Sequence, residues 1–441
     1  MPRLVRPSRP GPVPLSARGR AALALAAALL AASCGGGGGD APAAEASAAT
    51  EVDWVRGVMK DSYLYADRVP DADLSGAADA AAALAALRVE PPDRFSYVER
   101  RSRYEGFFDE GRAFGLGIGW RVDGDRAALR FVQPESPAGR AGLRRGDRLV
   151  AVGGTPVATL IAEGRLAQAF GPSEPGTSVT IETERDGARA SATVARDWYA
   201  VSPVLAARTI VRDGTTVGYV ALYTFTEPAR AAWAEAIRTL AEAGARRLVV
   251  DLRDNGGGRL FVAAEVAGSL APAEAVGQTF AELRFNARRA GDALRIPVPA
   301  TPTTAVFERV VWLVSEQSCS ATESLIAGLR PFRADAIVGT RTCGKPVGFE
   351  PRTRGETVLS AVSFEGVNRD GFGGWFDGLA PTCTVADEPL RPYGDETDPR
   401  LAEALRWLST GACGPTAAAQ AKSLPARPPR EPGLAGETGL H

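Results

Sequence analysis

The spacing of apolar positions changes character twice along the chain. From Val52 to about Leu87 they recur at helical intervals, first in VDWVRGVMKDSYLY and then in the alanine-rich SGAADAAAALAAL, until PPDRFSYVER breaks the run. Residues 52–112 are therefore expected to form a small helical region. From Phe114 to about Ala195 the dominant period becomes two. AALRFVQ reads as a strand, and SVTIETERDGARASATVAR reads as two strands joined at Asp186-Gly187, a hairpin signal. Between them TLIAEGRLAQAF has the pattern of a helix. From about Ser202 strands alternate with helices. TTVGYVALYTF is a buried strand, and EPARAAWAEAIRTLAEAG is a helix with Pro228 in its first turn and Gly244 at its stop. RRLVVDLRDNGGG is a strand running into a glycine-rich turn, followed by the helix LFVAAEVAGSL. ERVVWLVS is a strand feeding a helix that begins near Ser320, ADAIVGT is the next strand, and DPRLAEALRWLST is a last helix. Repeated strand–helix–strand units predict an α/β core with a largely parallel sheet and a site at the C-terminal ends of its strands.

Composition sharpens this picture at three points. A net charge of −1 with no basic stripe gives a nucleic-acid partner no electrostatic support. The single histidine is the last residue, His441, so a histidine-based triad and a histidine-ligated metal have no residue to use. Lysine occurs only as Lys60, Lys345 and Lys422 against 48 arginines. A retained lysine is notable because a buried lysine can give up its proton and an arginine cannot.

The first 33 residues carry five arginines, no acidic residue and the run AALALAAALLAA. Twelve apolar residues are too few to span a bilayer but suit the core of a signal peptide. The run ends LAASCGGGGGD, which resembles a bacterial lipobox with Cys34 as the lipidated residue, and residues 34–51 then read as a flexible tether. The expectation is a lipoprotein held on the periplasmic side of a bacterial membrane, the outer one. Export places Cys319, Cys343, Cys383 and Cys413 in an oxidising compartment. Four cysteines allow three pairings; free buried thiols or a cysteine-only zinc site are also compatible with the count. A Pro/Ala-rich tail, residues 413–441, is expected to be disordered.

The module at 113–197 opens FGLGIGWRV and continues ESPAGRAGLRRGDRLVAVGGTPV, which resembles a PDZ domain. The resemblance implies that backbone around Leu116, Gly117, Ile118 and Gly119 receives a peptide C-terminus, and that the following strand accepts the peptide as an added strand.

SEQSCSATESLIAGL, at Ser315 to Leu329, carries the candidate chemistry of the core, residues 198–412. Ser320 at a helix start has a structural explanation in helix capping, with Glu323 completing a Ser-x-x-Glu box. It also has a chemical one, since free N–H groups at a helix N-terminus stabilise a developing oxyanion. Lys345 follows in VGTRTCGKPVGF, past the next strand of the same sheet, and a crossover connection opens both loops on one rim. A buried, deprotonated lysine is then placed to take the proton of a serine hydroxyl.

These motifs in this order, over roughly residues 90–390, resemble the C-terminal processing peptidases, or tail-specific proteases. The resemblance implies a ClpP/crotonase-like core with an inserted or preceding PDZ domain. In that family the nucleophile lies in a Ser-Ala-Ser/Thr-Glu run, here Ser320-Ala321-Thr322-Glu323, and the base in a Thr-x-Gly-Lys turn, here ending at Lys345. The implied oxyanion hole pairs the N–H of Ala321 with one from DLRDNGGG, Gly257 or its neighbour Gly256. No metal or cofactor is required. Many members carry Gly after the lysine and Gln four residues beyond it, where this chain has Pro346 and Phe349. Cys319 and Cys343 flank the nucleophile and the base, and we expect them to pair and tie the two loops together, leaving Cys383 with Cys413. Cys319 has no histidine to make it a thiolate nucleophile. The expected activity is that of an exported serine endopeptidase acting on protein substrates with accessible C-termini, its oligomeric state open. The alternative is a PDZ-bearing lipoprotein that binds peptides without cutting them. Acyl-CoA chemistry, which crotonase-like cores also host, fits poorly with export and a PDZ module.

Overall fold

Side-chain alternation sandwiches the central strands between two apolar layers. The computed structural model describes residues 42–301, 307–386 and 389–415, and from Ala46 these form one unit. The expected leader, Cys34 with the tether as far as residue 41, and the tail beyond residue 415 lie outside the described residues, whereas residues 42–51, expected as flexible tether, belong to the helix Pro42–Asp61. Six strands run in the order Val204–Arg212, Thr215–Leu222, Arg247–Asp251, Arg309–Val314, Ala336–Gly339 and Cys383–Thr384, the first pair antiparallel and the rest parallel. Val220, Leu248, Val250, Val310 and Trp312 belong to one apolar layer with the helices Ala229–Glu242, Leu260–Leu270 and Ala321–Leu329. Val217, Tyr219, Val249, Val311 and Leu313 belong to the other, with the last helix, Pro399–Thr410. Burial on both faces is why these strands read as near-continuous apolar runs. The segments leaving the C-terminal ends of the parallel strands, residues 252–259, 315–320 and 340–346, gather on one rim. A disulfide joins Cys383, on the edge strand, to Cys413 beyond the last helix.

The N-terminal region is helical over Pro42–Asp61 and Ala80–Leu87, the second capped by Asp79. It is not helical throughout. Tyr97–Arg100 is a strand pairing with Thr357–Ser360 of the core, and Val55, Met59 and Leu84 share an apolar cluster with core residues Val347, Leu359 and Val362. A four-residue strand carries too little alternation to be read in isolation; the distant partner makes it.

The chain enters the middle module along Arg112–Gly115 and leaves it along Asp197–Ala200, which pair antiparallel, so the module is an insertion on a two-stranded stem. Its sheet runs in the order Ile118–Asp123, Arg126–Val132, Arg148–Val152, Ser178–Arg185, Ala188–Ala195. Both Asp186 and Gly187 have positive φ, 51° and 82°, as a tight two-residue hairpin requires. TLIAEGRLAQAF forms two short helices, Val157–Ala162 and Leu166–Ala169. Gly164 turns left-handed between them, and the Arg165 N–H donates to the Leu160 carbonyl at 2.8 Å, closing the first.

Candidate active site

The hydroxyls of SEQSCSATES divide cleanly by partner. Ser315 Oγ donates to the Arg253 carbonyl at 2.6 Å and Ser318 Oγ to the Leu252 carbonyl at 2.8 Å. Thr322 Oγ1 lies 3.0 Å from the Asn255 carbonyl and 2.9 Å from Asn255 Oδ1. Three hydroxyls thus fasten this turn to the glycine-rich turn of the neighbouring strand. Ser320 and Ser324 instead line a cavity of about 490 Å³ that also admits Lys345.

Ser320 stands at the start of its helix with φ +57° and ψ −117°, a conformation that β-carbon-bearing residues rarely hold. A Ser320→Gly variant is expected to be more stable than Ser320→Ala by about 1 kcal/mol, because glycine removes the strain that alanine keeps. Equal denaturation midpoints for the two would remove strain from the account.

Glu323 clasps the two functional loops. Fully buried, its carboxylate accepts the Ser320 N–H at 3.0 Å, the Gly344 N–H at 2.9 Å, the Lys345 N–H at 2.8 Å and the Thr342 hydroxyl at 2.5 Å. The carboxylate that caps the Ser320 helix is therefore also the anchor of the lysine turn. Burial pushes its carboxyl above the usual range against these hydrogen bonds, which favour the charged form. A disulfide joins Cys319 to Cys343, their Cα atoms 5.1 Å apart, and the Cys343 N–H donates to the Ser318 carbonyl at 3.0 Å.

Lys345 is 2% exposed. Burial pulls its amine down to about 7, with Asp93 and Glu323 opposing the shift. Its Nζ lies 3.8 Å from the ring centroid of Phe349 and 5.5 Å from that of Phe95.

The glycine turn supplies the opposite wall. A Cβ at Gly257 would lie 2.9 Å from the Cβ of Ser320 and 3.3 Å from the Ala321 nitrogen, so only glycine fits there. Gly257 and Gly256, the glycines that the resemblance implies as donors, are not among the residues lining the cavity. The Gly257 N–H is engaged by Asn255 Oδ1 at 2.9 Å, and Gly258, not Gly257 or Gly256, lines the cavity together with Ala321. The reason is local: Asn255 folds back on the residue two further along and turns that N–H away. Asp251 and Arg253 stay out of the cavity. They pair with each other at 2.7 Å, with Asp398 and Tyr219 completing a buried network behind the turn.

Asp254 links the inserted module to the turn, a contact no motif announced. It pairs with Arg130 at 3.0 Å and Arg145 at 2.9 Å, both from the module, and accepts the Tyr393 hydroxyl at 2.6 Å. Its neighbour Asn255 holds both Gly257 and Thr322. In the module itself, Leu116 and Ile118 point into the apolar core. A Cβ at Gly117 would meet Ser136 at 2.0 Å, and one at Gly119 would meet the Phe131 ring at 2.3 Å. The strand beginning at Ile118 lies at the edge of its sheet, paired on one side with Arg126–Val132. That leaves its other side able to take an added strand.

Comparison with known proteins follows the same divisions. Residues 216–382 match peptidase family S41, residues 131–185 a PDZ domain, and residues 51–97 the peptidase S41 N-terminal domain. The carboxyl-terminal-processing protease of Synechocystis sp. is 26% identical over 321 residues, covering 72% of each chain. The carboxy-terminal processing protease CtpB of Bacillus subtilis is 28% identical over 257 residues, which is 57% of this chain and 51% of that one. A Bacteroides fragilis protein assigned to the S41 proteases shares the fold, with a TM-score of 0.64 at 22% identity, covering 81% of this chain and 97% of its own. Each match falls on a module that the fold itself delimits, in the same order, so the chain is similar, module by module, to the core of peptidase family S41, to a PDZ domain and to the peptidase S41 N-terminal domain, and over most of its length to carboxyl-terminal processing proteases.

Proposed function

We propose that this protease is an exported serine endopeptidase in which Ser320 is the nucleophile and Lys345 the general base. The observation that carries the reading is a lysine 2% exposed and poised near 7, in the same cavity as a serine held at positive φ. A neutral amine at physiological pH accepts the Ser320 hydroxyl proton as Oγ attacks the carbonyl carbon of the scissile bond. The resulting ammonium returns that proton to the leaving amine, and the same amine then activates water against the acyl-enzyme. The N–H groups of Ala321 and of the glycine turn, Gly258 foremost, face the developing oxyanion. Apolar lining residues such as Leu260, Phe280, Leu283, Phe364 and Trp375 favour an apolar side chain beside the scissile bond. In this reading the PDZ module grips the substrate's C-terminal tail, and lipidation at Cys34 tethers the enzyme to the membrane.

The test is a serine-directed fluorophosphonate probe followed by peptide mapping. The expected adduct is on Ser320, absent from Ser320→Ala, with casein cleavage lost in parallel. An unlabelled wild-type protein that still binds C-terminal peptides would be a tail-binding receptor instead.

A further inference from the structure

The nitrogen at the centre of the proposed dyad is seated by aromatic rings. Among the described residues no protein oxygen accepts a hydrogen bond from Lys345 Nζ. It meets instead the face of Phe349, 3.8 Å to the centroid, and more distantly that of Phe95, at 5.5 Å. Phe349 comes from the core and is braced edge-on by Tyr97 at 5.6 Å. Phe95 comes from the N-terminal region, and its segment is firmly held. Asp93, 1% exposed, accepts the N–H groups of Phe95 and Ser96 at 2.8 and 3.0 Å, the Ser96 hydroxyl at 2.5 Å and the Tyr63 hydroxyl at 2.8 Å. Between them Arg94 reaches the carbonyl of Cys343 at 3.0 Å, inside the lysine turn. A flexible four-carbon stem ending in a nitrogen with no fixed acceptor would otherwise sample many positions.

We propose that Phe95 and Phe349 are positioning residues for Lys345, the two ring faces aiming its Nζ into the cavity, so that residues 93–97 of the N-terminal region form part of the catalytic centre. This rests on the Ser320–Lys345 reading. Two properties of an aromatic face serve it. The ring excludes water, which favours the neutral amine, and its negative face holds the ammonium once the proton has moved, so the seat works in both protonation states. The charged groups around the amine are Asp93 and Glu323, which favour its protonated form, and Arg94 beside its turn.

The test compares Phe349→Leu, Phe95→Leu and Phe349→Tyr in the full chain, with kcat and KM on a fluorogenic peptide measured between about pH 5 and 10. Leucine keeps an apolar wall and removes the ring; tyrosine keeps the ring. Phe349→Leu is expected to lose at least about tenfold in kcat at unchanged KM, and its acidic midpoint to fall by up to about one pH unit as ring stabilisation of the ammonium disappears. Phe95→Leu moves the same way by less, and Phe349→Tyr stays within about threefold of wild type. A readout independent of turnover uses lysine labelled with ¹³C at Cε, of which the chain has three. The Lys345 signal should be displaced by the Phe349 ring current and lose that displacement in Phe349→Leu, whether or not the variant is active. Leucine variants with wild-type kcat and midpoint, a midpoint that rises, a tyrosine variant as impaired as leucine, or no ring-current displacement would each overturn the proposal. Ser320→Ala and Lys345→Ala run alongside. If either keeps activity, the dyad reading fails and takes this inference with it, whereas inactive dyad variants beside unaffected leucine variants sink the aromatic seat alone.

Discussion

Lys345→Ala and Lys345→Arg are both expected to lower kcat/KM by at least about 10⁴-fold, with KM little changed. Arginine is the sharper test, since it keeps a long basic side chain yet stays protonated throughout the accessible pH range. Wild-type activity should rise with pH through a midpoint near 7, where burial has placed the amine, and then level off. The same burial makes the lysine a liability to the fold. The native amine sits at about 7, whereas in the unfolded chain it returns to about 10.4. Between those values the unfolded state binds a proton that the native state does not, so this group's contribution to stability improves as pH rises from about 7 to about 10.4 and is at its worst, and constant, below 7. Lys345→Met, apolar and of similar length, is thus expected to be inactive and more stable than wild type at pH 7 by up to ~4 kcal/mol, the gain shrinking toward pH 10. Urea unfolding at two pH values reads this directly. A methionine variant no more stable at pH 7, or an arginine variant that still cleaves, would contradict the role given to the buried amine.

The second large effect is expected at Glu323. Removing its carboxylate in Glu323→Ala strands the N–H groups of Ser320, Gly344 and Lys345 and the Thr342 hydroxyl inside the protein. We expect a loss of about 4 kcal/mol and, in whatever remains folded, a large fall in kcat, because the Ser320 and Lys345 turns, proposed to carry nucleophile and base, lose their common anchor. Glu323→Gln keeps one acceptor oxygen and turns its NH₂ toward donors, so about half that loss is expected. The two carboxamide and carboxylate forms should also differ in pH dependence. Burial raises the folded-state value of the Glu323 carboxyl above its unfolded value of about 4.3. Its contribution therefore falls as pH climbs from there through the raised value, a slope the Gln variant lacks. Denaturation midpoints that match wild type in Glu323→Ala would show that the clasp is dispensable.

How much of this was legible beforehand differs from element to element. The core strands and helices were readable because each is a long periodic run ended by its own signals, such as Pro228 and Gly244 around Ala229–Glu242. Ser320 and Lys345 stood out for compositional reasons, a hydroxyl-rich helix start and a rare lysine in a chain whose lone histidine is terminal. The strand Tyr97–Arg100 was missed because its pairing partner, and not its own four residues, makes it a strand. Gly257, with Gly256 beside it, was favoured and Gly258 was not singled out, because the motif shows only that bare Cα atoms are needed there; that Asn255 folds back onto the Gly257 N–H is visible only in the folded turn.

What the amino-acid order determined by itself was therefore the list of modules, the family likeness and the two residues proposed to react. Periodicity, composition and short-range spacing marked out the elements and the two residues, and the family likeness rests on the ordered motifs that resemble the C-terminal processing peptidases. Tertiary structure alone decided what surrounds them: the clasp of Glu323 on the lysine turn, Arg130 and Arg145 on Asp254, and the rings of Phe95 and Phe349 at the lysine nitrogen. Those contacts join segments far apart in the chain, and their distances are set by how whole layers pack, which no local pattern encodes.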